Sequence, residues 1–136
     1  MNLTLQYIIL AVSLIGSGFF SGSEIAFTAL SRAKAHQLLE QKKRGAHLVV
    51  KLKDRMHKLI ITILIGNNIL NILASSLATT IAIDQFGNKG VGIAVGIMTF
   101  LVLVFGEIVP KSYAASHAAP LCLRAAPFLY VLMWIF

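Results

Sequence analysis

The sequence predicts an all-α membrane protein with three transmembrane helices, an amphipathic juxtamembrane helix and a short C-terminal helical segment. Three observations carry this. The chain is 57% hydrophobic and only 12% charged over 136 residues, with a mean hydropathy of +0.82, whereas a soluble domain is about a quarter charged. Its apolar residues gather in three runs, 3–30, 59–83 and 91–109, none of which contains Lys or Arg, and a bilayer takes about 20 residues of helix to cross. Nine of the twelve Lys and Arg residues lie together between Arg32 and Lys58, in the link between the first two runs.

The first run is longer than a span needs, which leaves room for tilt or a local irregularity. It holds Ser21, Gly22, Ser23 and Glu24 among apolar neighbours. The link that follows is basic. Ser31 can cap a helix starting at Arg32. Ala35, Leu38 and Leu39 then share a face, which Ala46, Val49 and Val50 continue, while Lys34, Gln41, Lys42 and Lys51 fall on the other side. This predicts one amphipathic helix over about 32–56, lying at the membrane surface where basic residues meet anionic headgroups. By the positive-inside rule the link 31–58 is cytoplasmic, so the N-terminus and the 84–90 turn lie outside. Lys111 and Arg124 agree with that orientation and Lys89 does not.

The second run contains Thr62, Asn67, Asn68, Asn71, Ser75 and Ser76. A polar turn with two glycines, DQFGNKG at 84–90, joins it to the third run, which ends at Glu107, Pro110 and Lys111. Beyond this, Pro120 and Pro127 interrupt the chain. The apolar run 127–136 has ten residues, too few to span, so it reads as a short interfacial hairpin or a fourth span cut short. An end inside an apolar run predicts that the natural chain continues. By length the whole chain, 1–136, is one domain.

Several function classes fall away. The basic residues sit beside membrane spans, which makes them a topology signal and argues against nucleic acid. One cysteine, Cys122, gives no disulfide framework, and the N-terminus lacks the pattern of a secretory signal. There is no G-x-S-x-G elbow, no H-E-x-x-H and no cysteine pair, and His36, His47, His57 and His117 all fall outside the runs. No enzyme is expected.

What remains inside the runs is a set of oxygen ligands, which suits hard cations such as Mg²⁺, Ca²⁺ or Na⁺ and disfavours zinc and copper. Asn67 and Asn71 are four residues apart, so both face one side of a helix, with Gly66 allowing close backbone approach. Asn68 points about a hundred degrees away. Pro110 has no N–H, so the carbonyl of Gly106 loses its helical partner beside the carboxylate of Glu107. Gly22, between two serines, predicts local unwinding of the first helix. Broken helices whose carbonyls coordinate ions recur in transporters. The bland reading is close packing, since 18–22 and 92–96 are both GxxxG patterns and asparagines can be interhelical glue. Polar groups on three spans together favour a cation site.

FFSGSEIAFTALSR at 19–32, TILIGNNILNI at 62–72 and FGEIVPKSYA at 105–114 resemble, in order, the membrane module of the CNNM/CorC magnesium transporters, in its bacterial CorC-like form. The resemblance covers essentially the whole chain. It implies a homodimer in the inner (plasma) membrane with three transmembrane helices per protomer and a juxtamembrane helical belt. It also implies cytoplasmic CBS-type domains outside this chain, and Mg²⁺ efflux coupled to a sodium gradient, with Na⁺ as coupling ion. Carried onto this sequence, the ion site falls on Ser21 and Gly22, Asn67 and Asn71, and Glu107 with Gly106, with Ser23 a neighbour. Glu24 and Asn68 are left without a role. A passive divalent-cation channel, or a membrane anchor that dimerises and positions a cytoplasmic domain, are the competing functions.

Overall fold

The computed structural model describes residues 2–135, with side chains at all of them except Asn88 and Ala94. The described residues form helices α1 (Leu3–Ala29), α2 (Arg32–Glu40), α3 (Ala46–Lys53) and α4 (Met56–Leu103), a π-helical turn (Val104–Ile108), α5 (Val109–Ser116) and α6 (Ala118–Ile135). α4 is two limbs in one, broken at Gly87 with φ 66° and ψ −169°. The stretches long and apolar enough to cross a membrane are Leu3–Ala29, Met56–Gly87, Lys89–Ser116 and Ala118–Ile135. That is four where the sequence predicts three.

The fourth is α6. Pro120 and Pro127 read as breaks, but Pro120 lies in the first turn, where no intrahelical N–H bond is needed. Pro127 sits inside the helix and removes the partner of the carbonyl four residues back, that of Leu123. That oxygen faces Gly45, where a Cβ would come within 2.9 Å of it. Leu121 reaches Gly22 and Phe128 packs against Phe19 and Phe20. α6 therefore advances two turns while passing only one turn of α1, so it crosses α1 obliquely. Phe136, the last residue of the 127–136 run, lies outside the described residues.

The predicted juxtamembrane helix is two short helices. Ser31 does cap the first, its Oγ accepting from the Lys34 N–H at 3.0 Å. That helix ends in a Schellman motif. Lys43 N–H bonds the Leu38 carbonyl at 3.2 Å and Lys42 N–H that of Leu39 at 3.0 Å, with Lys42 left-handed at φ 57°. Gly45, at φ 84°, starts α3. Ala35, Leu38, Ala46, Val49 and Leu52 are buried, while Leu39 is exposed. Lys53, which falls four residues after Val49 on the apolar face, is buried and donates from Nζ to the Phe27 carbonyl at 2.7 Å. This satisfies one of the orphan carbonyls in the last turn of α1. Burial, with Arg32 nearby, holds the Lys53 ammonium below the ordinary lysine value.

α1 is built inside out relative to a soluble helix. Ser13, Ser17, Gly18, Ser21, Gly22 and Ser23 are buried, whereas Val12 and Ile15 are 60% and 74% exposed. Against lipid, apolar surface gains nothing from leaving the solvent, and helices associate through small residues that allow close contact. Gly18 shows how close: a Cβ there would sit 3.0 Å from Pro110 Cγ and 3.3 Å from the Phe105 carbonyl oxygen. Two apolar clusters bracket the middle of this packing. One, around Phe20, Phe27, Leu59, Ile63 and Leu129, lies toward the basic link. The other, Leu10, Ala74, Leu77 and Ile81, lies toward the Gly87 turn.

Candidate functional site

Between the two clusters lies the polar centre. Ser17 is midway along α1, and its Oγ stands 2.7 Å from Asn67 Oδ1 and 2.8 Å from Asn71 Oδ1. The four-residue spacing brings the two asparagines to one face of the first limb of α4, and that face meets α1. A hydroxyl carries one proton, so Ser17 can donate to only one of these oxygens. The second close approach is satisfied when that amide turns its NH₂ toward the hydroxyl, or when a cation takes the proton's place. Gly66, one residue earlier, lies under the Phe20 ring, with no room for a Cβ.

One helical turn further along α1, Ser21 Oγ is buried without a hydrogen-bond partner among the described residues, and so is Ser23 Oγ. An orphaned buried hydroxyl costs about 1–3 kcal/mol, so each marks a place where oxygen lone pairs are left available, and being two residues apart the two serines face different sides of α1. α1 itself stays helical through Ser21, Gly22 and Ser23, so the expected unwinding at Gly22 does not occur. Gly22 serves close approach instead, with a Cβ position 3.3 Å from the Pro110 carbonyl oxygen.

The irregularity lies on the facing strand of chain. Pro110 removes the N–H that the Gly106 carbonyl would use and crowds it, and the helix responds with a π-turn over Val104–Ile108, Val109 N–H reaching back to the Val104 carbonyl. π-bulges of this kind recur at functional sites. Gly106 is buried, and a Cβ there would lie 3.6 Å from Ser17 Oγ. The carbonyls that come closest to the glycines of α1 are those of Phe105, beside Gly18, and Pro110, beside Gly22, each 3.3 Å from the Cβ position.

Glu107 is the carboxylate nearest this centre in sequence. Its Oε2 pairs with Lys111 Nζ at 3.3 Å, the only ion pair among the described residues, with the Lys111 and Glu107 side chains 40% and 32% exposed. It also opens onto a cavity of about 340 Å³ between the two limbs of α4, with Ser75, Thr79 and Thr99 on its walls. Glu24 is half-buried and has no ion pair among the described residues. Asn68 is exposed on the outer side of its helix.

Of the residues singled out from sequence, the structure gathers Asn67, Asn71 and Gly106 around one point and sets Ser21 and Gly22 a turn away. It turns Glu107 toward Lys111 and the interlimb cavity. The residue missed was Ser17, whose hydroxyl touches both asparagines. A signal for it existed: Ser17 precedes Ser21 by four residues, the spacing that groups Asn67 with Asn71.

Residues 8–136 match the cyclin M transmembrane N-terminal domain family (CNNM). The chain is 41% identical over 134 residues to a UPF0053 protein of Haemophilus influenzae, covering 98% of this chain and 32% of that protein. It is also 41% identical over 121 residues to the UPF0053 inner membrane protein YfjD of Escherichia coli, covering 86% of this chain and 28% of that one. A chloroplastic DUF21 domain-containing protein of Arabidopsis thaliana is 36% identical over 132 residues, 95% of this chain and 20% of its own. The chain thus spans a third or less of the length of these relatives.

Proposed function

The chain belongs to the cyclin M transmembrane (CNNM) family, and from that premise we propose that it carries Mg²⁺ across the inner membrane, outward and coupled to a sodium gradient. The observation that carries the reading is the meeting of Ser17, Asn67 and Asn71 oxygens within 2.8 Å at mid-helix depth. Neutral oxygens supplied by hydroxyls and amides suit a hard cation. They bind Mg²⁺ without the affinity of a carboxylate cage, which a carrier must avoid if it is to release its cargo. Mg²⁺ gives up water reluctantly, so Ser17, Asn67, Asn71 and Ser21 would hold it with part of its hydration shell.

Glu107 supplies the one formal negative charge near the path. Lys111 neutralises it in the absence of cargo, and an arriving cation would compete with the Lys111 ammonium for the carboxylate. Helix movement then opens the site outward, α1 sliding on the small-residue contacts at Gly18 and Gly22. The basic link is taken as cytoplasmic and the N-terminus as external. The relatives' additional length is taken to contain the cytoplasmic CBS-type domains.

A homodimer is part of the proposal. Among the described residues, Gly92 and Gly96 have nothing within 4 Å of their Cβ positions. They lie with Ile93, Ile97 and Phe100, each more than half exposed, as a GxxxG surface that a second copy can meet.

The test is Mg²⁺ binding and efflux in Glu107→Ala, Asn71→Ala and Asn68→Ala. Efflux should fall in the first two and change little in Asn68→Ala, whose side chain faces away. Wild-type binding and efflux in both Glu107→Ala and Asn71→Ala would overturn the reading. Flux that needs no sodium gradient and does not saturate would make the protein a passive channel. Lost dimerisation with unchanged ion binding would make it an anchor.

A further inference from the structure

A second cavity lies away from the ion path, at the basic end of the molecule. It measures about 370 Å³ and is walled on one side by Lys51, Arg55 and Lys58, from the end of α3 and the start of α4. No carboxylate lies within ion-pair distance of any of the three among the described residues. Asp54 is the one acidic residue on the wall, so the lining carries a net charge of about +2 by formal count. The cavity also holds the N-terminus of α4, whose cap residue Arg55 makes no side-chain cap bond. The first N–H groups of α4 and the positive end of a 32-residue stretch, Met56–Gly87, therefore add to the same field.

The opposite wall is apolar and aromatic: Tyr130, Met133 and Trp134 of α6. Lys51 Nζ lies 5.9 Å over the Tyr130 ring, which holds the ammonium at the cavity edge. Trp134 is 74% exposed, and Val131 and Ile135 beside it are 56% and 69% exposed. Cations in excess over Asp54 and outside ion-pair distance of it, facing an exposed tryptophan and a strip of bare aliphatic surface, form a two-part recognition surface. The charged half suits a phosphate, and the apolar half suits hydrocarbon continuing from it. Tyr and Trp are the residues enriched where a membrane protein passes from hydrocarbon to headgroups.

We infer that this cavity binds the phosphate headgroup of an anionic phospholipid, with Lys51, Arg55 and Lys58 on the phosphate and the acyl chains running past Trp134. A soluble phosphate compound would use the cations but leave the aromatic wall and the strip at Val131 and Ile135 uncovered, and for that reason the lipid is the occupant. The site is a built pocket, distinct from the diffuse attraction of basic residues to an anionic surface. It joins α3, the start of α4 and the end of α6 through a ligand, at the end of the limb that carries Asn67 and Asn71.

Trp134 is the only tryptophan in the chain, so its fluorescence reads this site alone. The full chain is reconstituted in phosphatidylcholine vesicles containing a tenth of either brominated phosphatidylglycerol or brominated phosphatidylcholine. The brominated phosphatidylglycerol should quench Trp134 more strongly, with an enrichment at the site on the order of tenfold. In Lys51→Gln/Arg55→Gln/Lys58→Gln the two lipids should quench alike. In Lys42→Gln/Lys43→Gln/Arg44→Gln, which removes the same charge from the α2–α3 turn, the preference should persist. Circular dichroism confirms that each variant is folded, and Arg55→Gln alone should show a partial loss if the triple variant is not. Equal quenching by the two lipids in the wild type, or a preference that survives in the Lys51 triple variant, would overturn the site. So would equal loss in both triple variants, which would reduce it to surface charge. Loss of the preference on adding millimolar inorganic phosphate would reassign the cavity to a soluble phosphate.

Discussion

Ser17→Ala tests the polar centre most directly. In the ion-free protein the substitution removes a hydroxyl that donates to one of two oxygens at 2.7 and 2.8 Å. The expected cost is that of one net hydrogen bond, about 1 kcal/mol. With a cation present the same hydroxyl is a ligand. Losing an interaction with a charged partner costs about 1.5–3 kcal/mol, or roughly 10- to 150-fold in Kd. The two effects separate in a thermal-unfolding titration of the purified protein with Mg²⁺. Stabilisation by a bound ligand grows as RT ln(1 + [L]/Kd), so a tenfold weaker site loses about 1.4 kcal/mol of the ion-dependent stabilisation at saturating Mg²⁺. Ser13→Ala is the matched control, because the Ser13 hydroxyl bonds the Ile9 carbonyl of its own helix at 2.8 Å and lies one turn from the centre. Ser13→Ala should keep the wild-type Mg²⁺ response. If Ser17→Ala responds to Mg²⁺ as the wild type does, or if Ser13→Ala loses the response equally, the three oxygens are interhelical glue and no ion meets them.

Three further outcomes follow from the packing. Gly18→Ala should destabilise by about 1–3 kcal/mol and blunt the Mg²⁺ response, because Pro110 and the Phe105 carbonyl cannot yield. Gly16→Ala meets only the flexible end of Leu70 and should cost less, and paired melting curves decide between them. Gly45→Ala combines a left-handed backbone with the Leu123 oxygen at 2.9 Å. The conformation alone costs about 1–2 kcal/mol, and protease sensitivity of the link 41–45 should rise. Lys53 has a folded value below the ordinary lysine 10.5, so the unfolded chain binds the extra proton as pH rises between the two values. Wild-type stability should therefore increase across that window, having carried the full burial penalty below it. In Lys53→Met this component should vanish from unfolding midpoints measured along the same pH series.

Much of the fold was legible because helices are written locally. Apolar runs free of Lys and Arg marked the spans, and Ser31 marked the start of α2. The spacing of Asn67 and Asn71 put them on one face, and Pro110 marked where the third run departs from α-geometry. Other elements resisted for identifiable reasons. The juxtamembrane helix divides because Lys42, a residue with no strong left-handed preference, closes a Schellman motif while Gly45 fits under the Leu123 carbonyl. α6 passes through Pro127 because the carbonyl it frees finds space beside Gly45. Neither partner lies near the other in sequence.

The sequence by itself determined the class of molecule, the apolar runs that become α1 and the two limbs of α4, and the oxygen-only chemistry of the polar residues, since composition and periodicity are properties of single segments. Only the tertiary structure decided which of those oxygens meet. The register of α1 against α4 selects Ser17 as the contact of Asn67 and Asn71. The π-turn sets Gly106 against Ser17, and Glu107 faces Lys111 across one turn of its own helix. Registers between helices depend on contacts made from many residues at once, and in lipid they are chosen by the close fit of small side chains, which no single run displays.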